Sequence, residues 1–373
     1  MNPSNPHSPH TDALWIADRD GLDAWLAHVN GLLAVDTEFM RTNTYYARLA
    51  LIQLAHAGRY ALVDPLALHP GQSLSRMDER DAPTWIMHSP SEDLEVLAPL
   101  LPHGPGNLFD TQLAAAFVGM GLGTSYRTLV ETFCGVFLDK GETRSNWMQR
   151  PLTDSQLEYA TLDVVYLHAI HENLQQQLIE RDRMTWFQAD CERLKQRTGD
   201  RASDEQPQRS LRGASSWPRE RQALLRRVLL WREATARELD QPRPWLLQDA
   251  QIMSLAEDIP GSTSALAERT RGQRALRGPQ RKTLLDVLHQ PVTDQEMQAT
   301  APIPAALDST GKRALNAMKQ DVNRLAEQLD LPPGLLAARK MLEEYIATWT
   351  WPDALQGWRH DLLHEQLSAH LPG

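Results

Sequence analysis

The chain has 373 residues, 42% of them hydrophobic and 23% charged, and a formal net charge of −10 at pH 7. Single hydrophobic cores stop growing near ~250–300 residues, which disfavours a one-domain protein, and the composition is close to that of a soluble globular protein. No apolar run approaches the ~18 residues of a membrane span, and two cysteines, Cys134 and Cys191, are too few for a disulfide framework and suit a reducing, cytoplasmic setting.

The acidic total argues at first against a nucleic-acid partner, but the charge is unevenly spread. Met1 to Arg209 holds 17 Lys+Arg against 28 Asp+Glu, whereas Arg212 to Gln290 holds 14 against 9. An acidic module is joined to a basic one.

Residues 1–13 lack the basic and apolar regions of a targeting signal and read as a flexible leader. "LWIAD" then reads as a short strand, "DRDGLDAWLAHV" as a capped helix and "GLLAVDTEF" as a buried strand, and "ARLALIQLAHAGRYALVDP" as two strands joined at Ala57-Gly58. "TWIMHS" is another strand, and "SEDLEVLAPLL" a helix with Ser89 or Ser91 near its N-cap. Helices dominate from Asp110 to Arg197, which predicts an α/β domain with a mixed sheet over residues 14–198. Two stretches rich in Gly, Ser, Pro and charge, 199–216 and 291–308, read as linkers. They set off two small all-helical domains, 217–290 and 309–373, each opening on a long basic amphipathic helix.

Asp36 and Glu38 close the apolar run Leu32-Leu33-Ala34-Val35. Two apart on a strand, they point to one face and repel unless a cation intervenes, and a hard divalent ion with oxygen ligands would suit them. A pair of solvated acids after a strand is the alternative. Asp93 lies in the first turn of its predicted helix, where a carboxylate also complements the dipole. Tyr159 and Asp163, four apart on a helix, share one face. Asp110, in "FDTQLAAAF", reads as a helix N-cap.

Together, "DTEF", "HSPSEDLEVL" and "YATLD" resemble the three motifs of the DEDD family of 3′→5′ exonucleases, in the branch with tyrosine in its last motif. The flanks "RTNTYYARLALIQL", "DTQLAAAF" and "KGETRSNWMQRPLT" are similar to those of the bacterial ribonuclease D branch, except that Asn146 stands where Asp is common. The resemblance implies a ribonuclease H-like exonuclease domain with Asp36, Glu38, Asp93, Tyr159 and Asp163 as its catalytic set. The four acids would hold two divalent ions, Mg²⁺ or Mn²⁺, and Tyr159 would orient the attacking water in a hydrolysis releasing 5′-monophosphates. Phe39, Tyr45, Tyr46, His88, Lys140, Arg144 and Trp147 are candidate substrate contacts. The region 217–290 resembles an HRDC domain, a helical nucleic-acid-binding module, and 309–373 a divergent second copy. The implied substrate is RNA, with tRNA precursors foremost, and neither a membrane nor an obligate protein partner is implied. A DNA exonuclease of the same fold, or a non-catalytic RNA-binding protein, remains the alternative.

Overall fold

A computed structural model of the chain describes residues 13–68, 83–101, 104–139, 141–142, 145–199 and 204–371. These divide into two compact units: residues 1–40, 48–201 and 313–373 form the first, and 41–47 with 202–312 the second. Among the described residues no helix is long and apolar enough to cross a membrane.

The first unit is built on a six-stranded mixed sheet of order β1-β4-β3-β2-β5-β6. The strands are β1 (Leu14–Ile16), β2 (Leu32–Met40), β3 (Arg48–His56), β4 (Arg59–Val63), β5 (Thr84–Met87) and β6 (Asn107–Asp110). β2, β3 and β4 form an antiparallel meander, while β1 joins β4, and β5 and β6 extend from β2, in parallel. Ala57 and Gly58, at φ 48° and 75°, supply the two positive-φ positions that a two-residue hairpin needs between β3 and β4. β2 is thus central, and its apolar start, Leu33 to Val35, is fully buried.

Seven helices accompany the sheet: α1 (Arg19–Leu26), α2 (Ser91–Leu97), α3 (Thr111–Phe117), α4 (Tyr126–Cys134), α5 (Asp154–Val165), α6 (Leu167–Glu180) and α7 (Met184–Gly199). Asp110 caps α3, its carboxylate accepting from the backbone N–H groups of Gln112 and Leu113. The expected serine cap of α2 does not form. Pro90 occupies the N-cap, Ser89 sits at φ 58° and no side chain caps the helix. α5 opens on a reciprocal capping box between Thr153 and Gln156.

In the second unit, α8 (Arg219–Glu238), α9 (Arg243–Leu246), α10 (Asp249–Glu257), α11 (Thr263–Arg269), α12 (Gly278–His289) and α13 (Asp294–Ala299) surround a core of Leu225, Val228, Leu246, Leu247, Ile252, Leu266 and Leu284. Here the linker expectation is corrected. Leu211 and Ala214 from the first presumed linker, and Ile303 from the second, are buried in that core. The two stretches also bond to each other: Gln206 Nε2 donates to Ala299 O, Gln206 Oε1 accepts from Ala301 N–H, and Gln208 Nε2 donates to Ala301 O. Polar composition hid this because the glutamine amides supply the backbone partners that periodic secondary structure supplies elsewhere.

The C-terminal helices α14 (Ser309–Leu329), α15 (Pro333–Leu336), α16 (Arg339–Thr348) and α17 (Trp358–Ser368) pack, from Arg313 onward, within the unit of the sheet. Arg359 forms a buried bidentate pair with Asp190 of α7 at 2.7 and 2.6 Å, to which Trp358 Nε1 also donates. Trp358 stacks on Trp186 at 4.9 Å between centroids. A pair this buried is costly to break, since either charge alone would be left unpaired. The two helical regions still show a common plan. Asp240 after α8 and Asp330 after α14 both take positive φ, at 48° and 49°, and a proline, a one-turn helix and a fully buried leucine, Leu246 or Leu336, follow each.

Candidate active site

The site is assembled where β2 leaves the core. β2 pairs with β3 in register Asp36↔Gln53, Thr37↔Ile52 and Glu38↔Leu51, and then slips by one residue, so that Phe39 faces Leu49. Ala50, the extra residue of this bulge, has its carbonyl taken by Arg150 Nη2 at 2.6 Å, and the same guanidinium makes a bidentate pair with Asp64. Bulges re-aim side chains beside functional sites, and this one falls directly after Glu38. β5, parallel to the start of β2, leads through His88 into α2 and delivers Asp93. Thr37 Oγ1, from the opposite pleat to the β2 acids, donates to Asp93 Oδ1 and fixes that carboxylate. α5 packs across β2, β3 and β4 and brings Tyr159 and Asp163, with Ala160 and Trp147 buried behind them.

The electrostatics of this cluster run against ionisation. Burial, followed by repulsion from Asp163, Asp93 and Glu38, raises Asp36 well above the usual carboxylate range. Burial and the charges of Asp163 and Asp93 push Glu38 up to about 8. Asp163 rises to about 7, by burial despite a hydrogen bond from Tyr159, and Asp93 to about 6, by burial despite its bond from Thr37. Among the described residues, none of the principal influences on these four acids is a lysine or arginine. Nor do three His, Cys, Asp or Glu side chains already converge to chelate an ion; mutual repulsion favours that separation. The donor set is oxygen only, repelling and short of positive charge, which fits hard divalent cations. Burial and the neighbouring carboxylates raise the Tyr159 phenol far above its ordinary value, so it stays protonated.

The candidate substrate contacts fare differently. Phe39 is half-buried beside the bulge. Trp147 is 2% exposed and packs behind Tyr159 with ring centroids 6.0 Å apart, so it offers no face to a base. Tyr45 is likewise no free stacking platform. In the second unit its hydroxyl donates to Glu233, Arg237 and Arg243 lie over its ring at 5.6 and 4.9 Å, and Asp240 Oδ1 accepts from the backbone N–H groups of Tyr45 and Tyr46. Tyr46 remains 47% exposed. His88 is pushed down to about 4 by burial, and its Nδ1 lies 2.9 Å from Thr111 Oγ1. Lys140 and Arg144 lie outside the described residues.

Sequence reasoning missed two participants. Thr37 stands inside "DTEF", where its position between the acids was the available signal. Tyr126 is half-buried beside the site, its phenol raised by desolvation and then by the charge of Asp163, and its hydroxyl donates to Leu162 O at 2.8 Å. That contact joins α4 to α5 one residue before Asp163, and no local pattern announces it. Beyond Tyr159 and Asp163 the site opens into a cleft of about 820 Å³, walled by residues 125–127, 136–139, 141–142, 155, 158, 162 and 166.

Family models agree with this architecture. A 3′-5′ exonuclease model matches residues 14–179, an HRDC domain model 221–277, and the model of the ribonuclease D C-terminal HRDC domain 310–367. Ribonuclease D of Xanthomonas oryzae pv. oryzae is 38% identical, over 90% of this chain and 92% of its own. Ribonuclease D of Escherichia coli K12 is 32% identical, over 90% and 91%. The crystal structure of Escherichia coli RNase D, described as an exoribonuclease involved in structured RNA processing, aligns with a TM-score of 0.83 at 29% identity, covering 97% of this chain and 99% of that one. The catalytic core of RRP6 from Trypanosoma brucei shares the fold at 20% identity and a TM-score of 0.57, over 74% and 79%.

Proposed function

The chain belongs to the ribonuclease D family, and from that premise we propose that this 3′→5′ exoribonuclease trims structured RNA, precursor tRNA in particular, at the carboxylates where β2 leaves the core. The observation that carries the reading is the gathering of Asp36, Glu38, Asp93 and Asp163, all raised by burial and mutual repulsion, with no cationic side chain among the principal influences on them from the described residues. Asp36, Glu38 and Asp163 would hold one divalent ion, and Asp36 with Asp93 a second. Mg²⁺ or Mn²⁺ there would lower the pKa of the attacking water and stabilise the leaving oxygen.

The remaining work falls to side chains of this chain. Tyr159, kept protonated and bonded to Asp163, orients the water and is too weak an acid to act as its base. Thr37 holds Asp93 in place. The arginine-rich second unit adds affinity for the phosphate backbone, which makes binding fall with salt.

Incubation with a 3′-extended tRNA and Mg²⁺, with products resolved nucleotide by nucleotide, tests the reading. Stepwise shortening from the 3′ end is expected, and a matched DNA oligomer should be degraded more slowly. Preference for DNA, or internal cleavage, would overturn it.

A further inference from the structure

Phe137 is 71% exposed, the largest exposure among the bulky apolar side chains of the described chain. Such a ring in isolation needs no explanation, but this one lines the same cleft as Tyr159 and Asp163. Its segment is also held. Gly135, at φ 66°, ends α4 in the left-handed conformation with its N–H on Glu131 O, and Arg127 Nη2 donates to Asp139 O at 3.0 Å. The phenyl group is therefore presented from a backbone tied on both sides, so little backbone ordering remains to be done when something stacks on it.

The wall around it shows which part of a nucleotide it would meet. Asp139, Glu142 and Glu158 line this side of the cleft, and the one described guanidinium in the lining, that of Arg127, is engaged with Asp139 O. Carboxylates repel a phosphate backbone, whereas a base presents an uncharged π-face that stacks on an aromatic ring whatever its identity.

Resting on the placement of catalysis given above, we propose that Phe137 is a substrate-positioning platform: it stacks on one base near the 3′ end of the RNA and holds the strand in the cleft beside Tyr159. The ring touches no reacting atom, so it acts on binding and not on the chemical step.

The test is a KM-against-kcat split combined with an abasic scan. Phe137→Ala, at an exposed position, should melt with the parent, raise KM for an unstructured RNA on the order of tenfold, and leave kcat within about twofold. Phe137→Trp should restore KM, and Phe137→Leu should restore little. When one abasic nucleotide is walked through the last several positions, the difference between parent and Phe137→Ala should vanish at one position and persist at the others. An unchanged KM in Phe137→Ala, equal rescue by leucine, or a difference insensitive to the abasic site at every position would overturn the proposal. Asp36→Asn, run in parallel, reports on the catalytic placement separately: if it kept full activity, that placement would fall, whatever Phe137 did to KM.

Discussion

Glu38 on β2 and Glu233 on α8 are both glutamates partly withdrawn from water, and they are driven in opposite directions. Burial and two neighbouring aspartates push Glu38 up to about 8. Desolvation acts on Glu233 as well, but hydrogen bonds from Arg243, Tyr45 and Arg237 outweigh it and pull the group down to about 2. Glu296 repeats the second case, held down to about 2 by Arg227. Where the chain supplies its own cation, the acid is a structural clasp. Where, among the described residues, it gathers acids with no lysine or arginine among the principal influences on them, their repulsion is left uncompensated, a local conflict of the kind expected at functional sites.

The largest way to break this contrast is Asp36→Asn. It should lower the rate of RNA hydrolysis on the order of a thousandfold without lowering the melting temperature, because one repelling charge has been removed. A melting temperature that fell together with activity would make Asp36 a structural acid like Glu233. Next in size is ion removal. A chelator should abolish hydrolysis and Mg²⁺ or Mn²⁺ restore it, and the added ion should raise the melting temperature of the parent but much less that of Asp36→Asn.

The two sets also predict opposite pH dependences in ion-free protein. Glu38 and Asp163 have folded values raised to about 8 and about 7, so the folded state binds more protons than the unfolded one between their ordinary values and these. Their stability contribution is full below their ordinary range and declines as pH rises toward 8. Glu233 and Glu296, depressed to about 2, contribute fully above their ordinary range and lose that contribution as pH falls toward 2. Thermal melts from pH 5 to 8 should therefore drift downward in ion-free protein, and less steeply in Asp36→Asn, which removes the raised titration of Asp36 itself while leaving those of Glu38 and Asp163. An upward drift would show that the acids of β2 already have cationic partners.

Smaller effects test the clasp. Glu233→Gln should cost about 1–2 kcal/mol, discounted for its partial exposure, since it removes the carboxylate to which Arg237 and Arg243 both donate. Tyr45→Phe should cost about 1 kcal/mol, removing one hydroxyl and keeping the ring between the two arginines. Urea unfolding of the full chain measures both. A Tyr45→Phe protein as stable as the parent would mean that the arginines, and not the hydroxyl, hold the segment.

Several features were legible in local sequence because each is decided within a few residues. The apolar run Leu32 to Val35, buried from Leu33 on, fixes β2 in the sheet, a two-residue period places Asp36 and Glu38 together, a four-residue period places Tyr159 with Asp163, and Asp110 caps the helix that follows it. The chemistry was implied by the resemblance of "DTEF", "HSPSEDLEVL" and "YATLD" to the motifs of an exonuclease family.

What only the tertiary structure decided is everything that depends on elements distant in the chain. Tyr45 and Trp147 are candidate substrate contacts by sequence, yet one is held by Glu233 and two arginines and the other lies behind Tyr159. The supposed linkers close the second unit because Gln206 and Gln208 find backbone partners some 90 residues away. The C-terminal helices join the unit of the sheet because Asp190 meets Arg359. Local propensity is blind to such pairings: a polar side chain carries no sign of whether water, or a group folded back from elsewhere, will satisfy it.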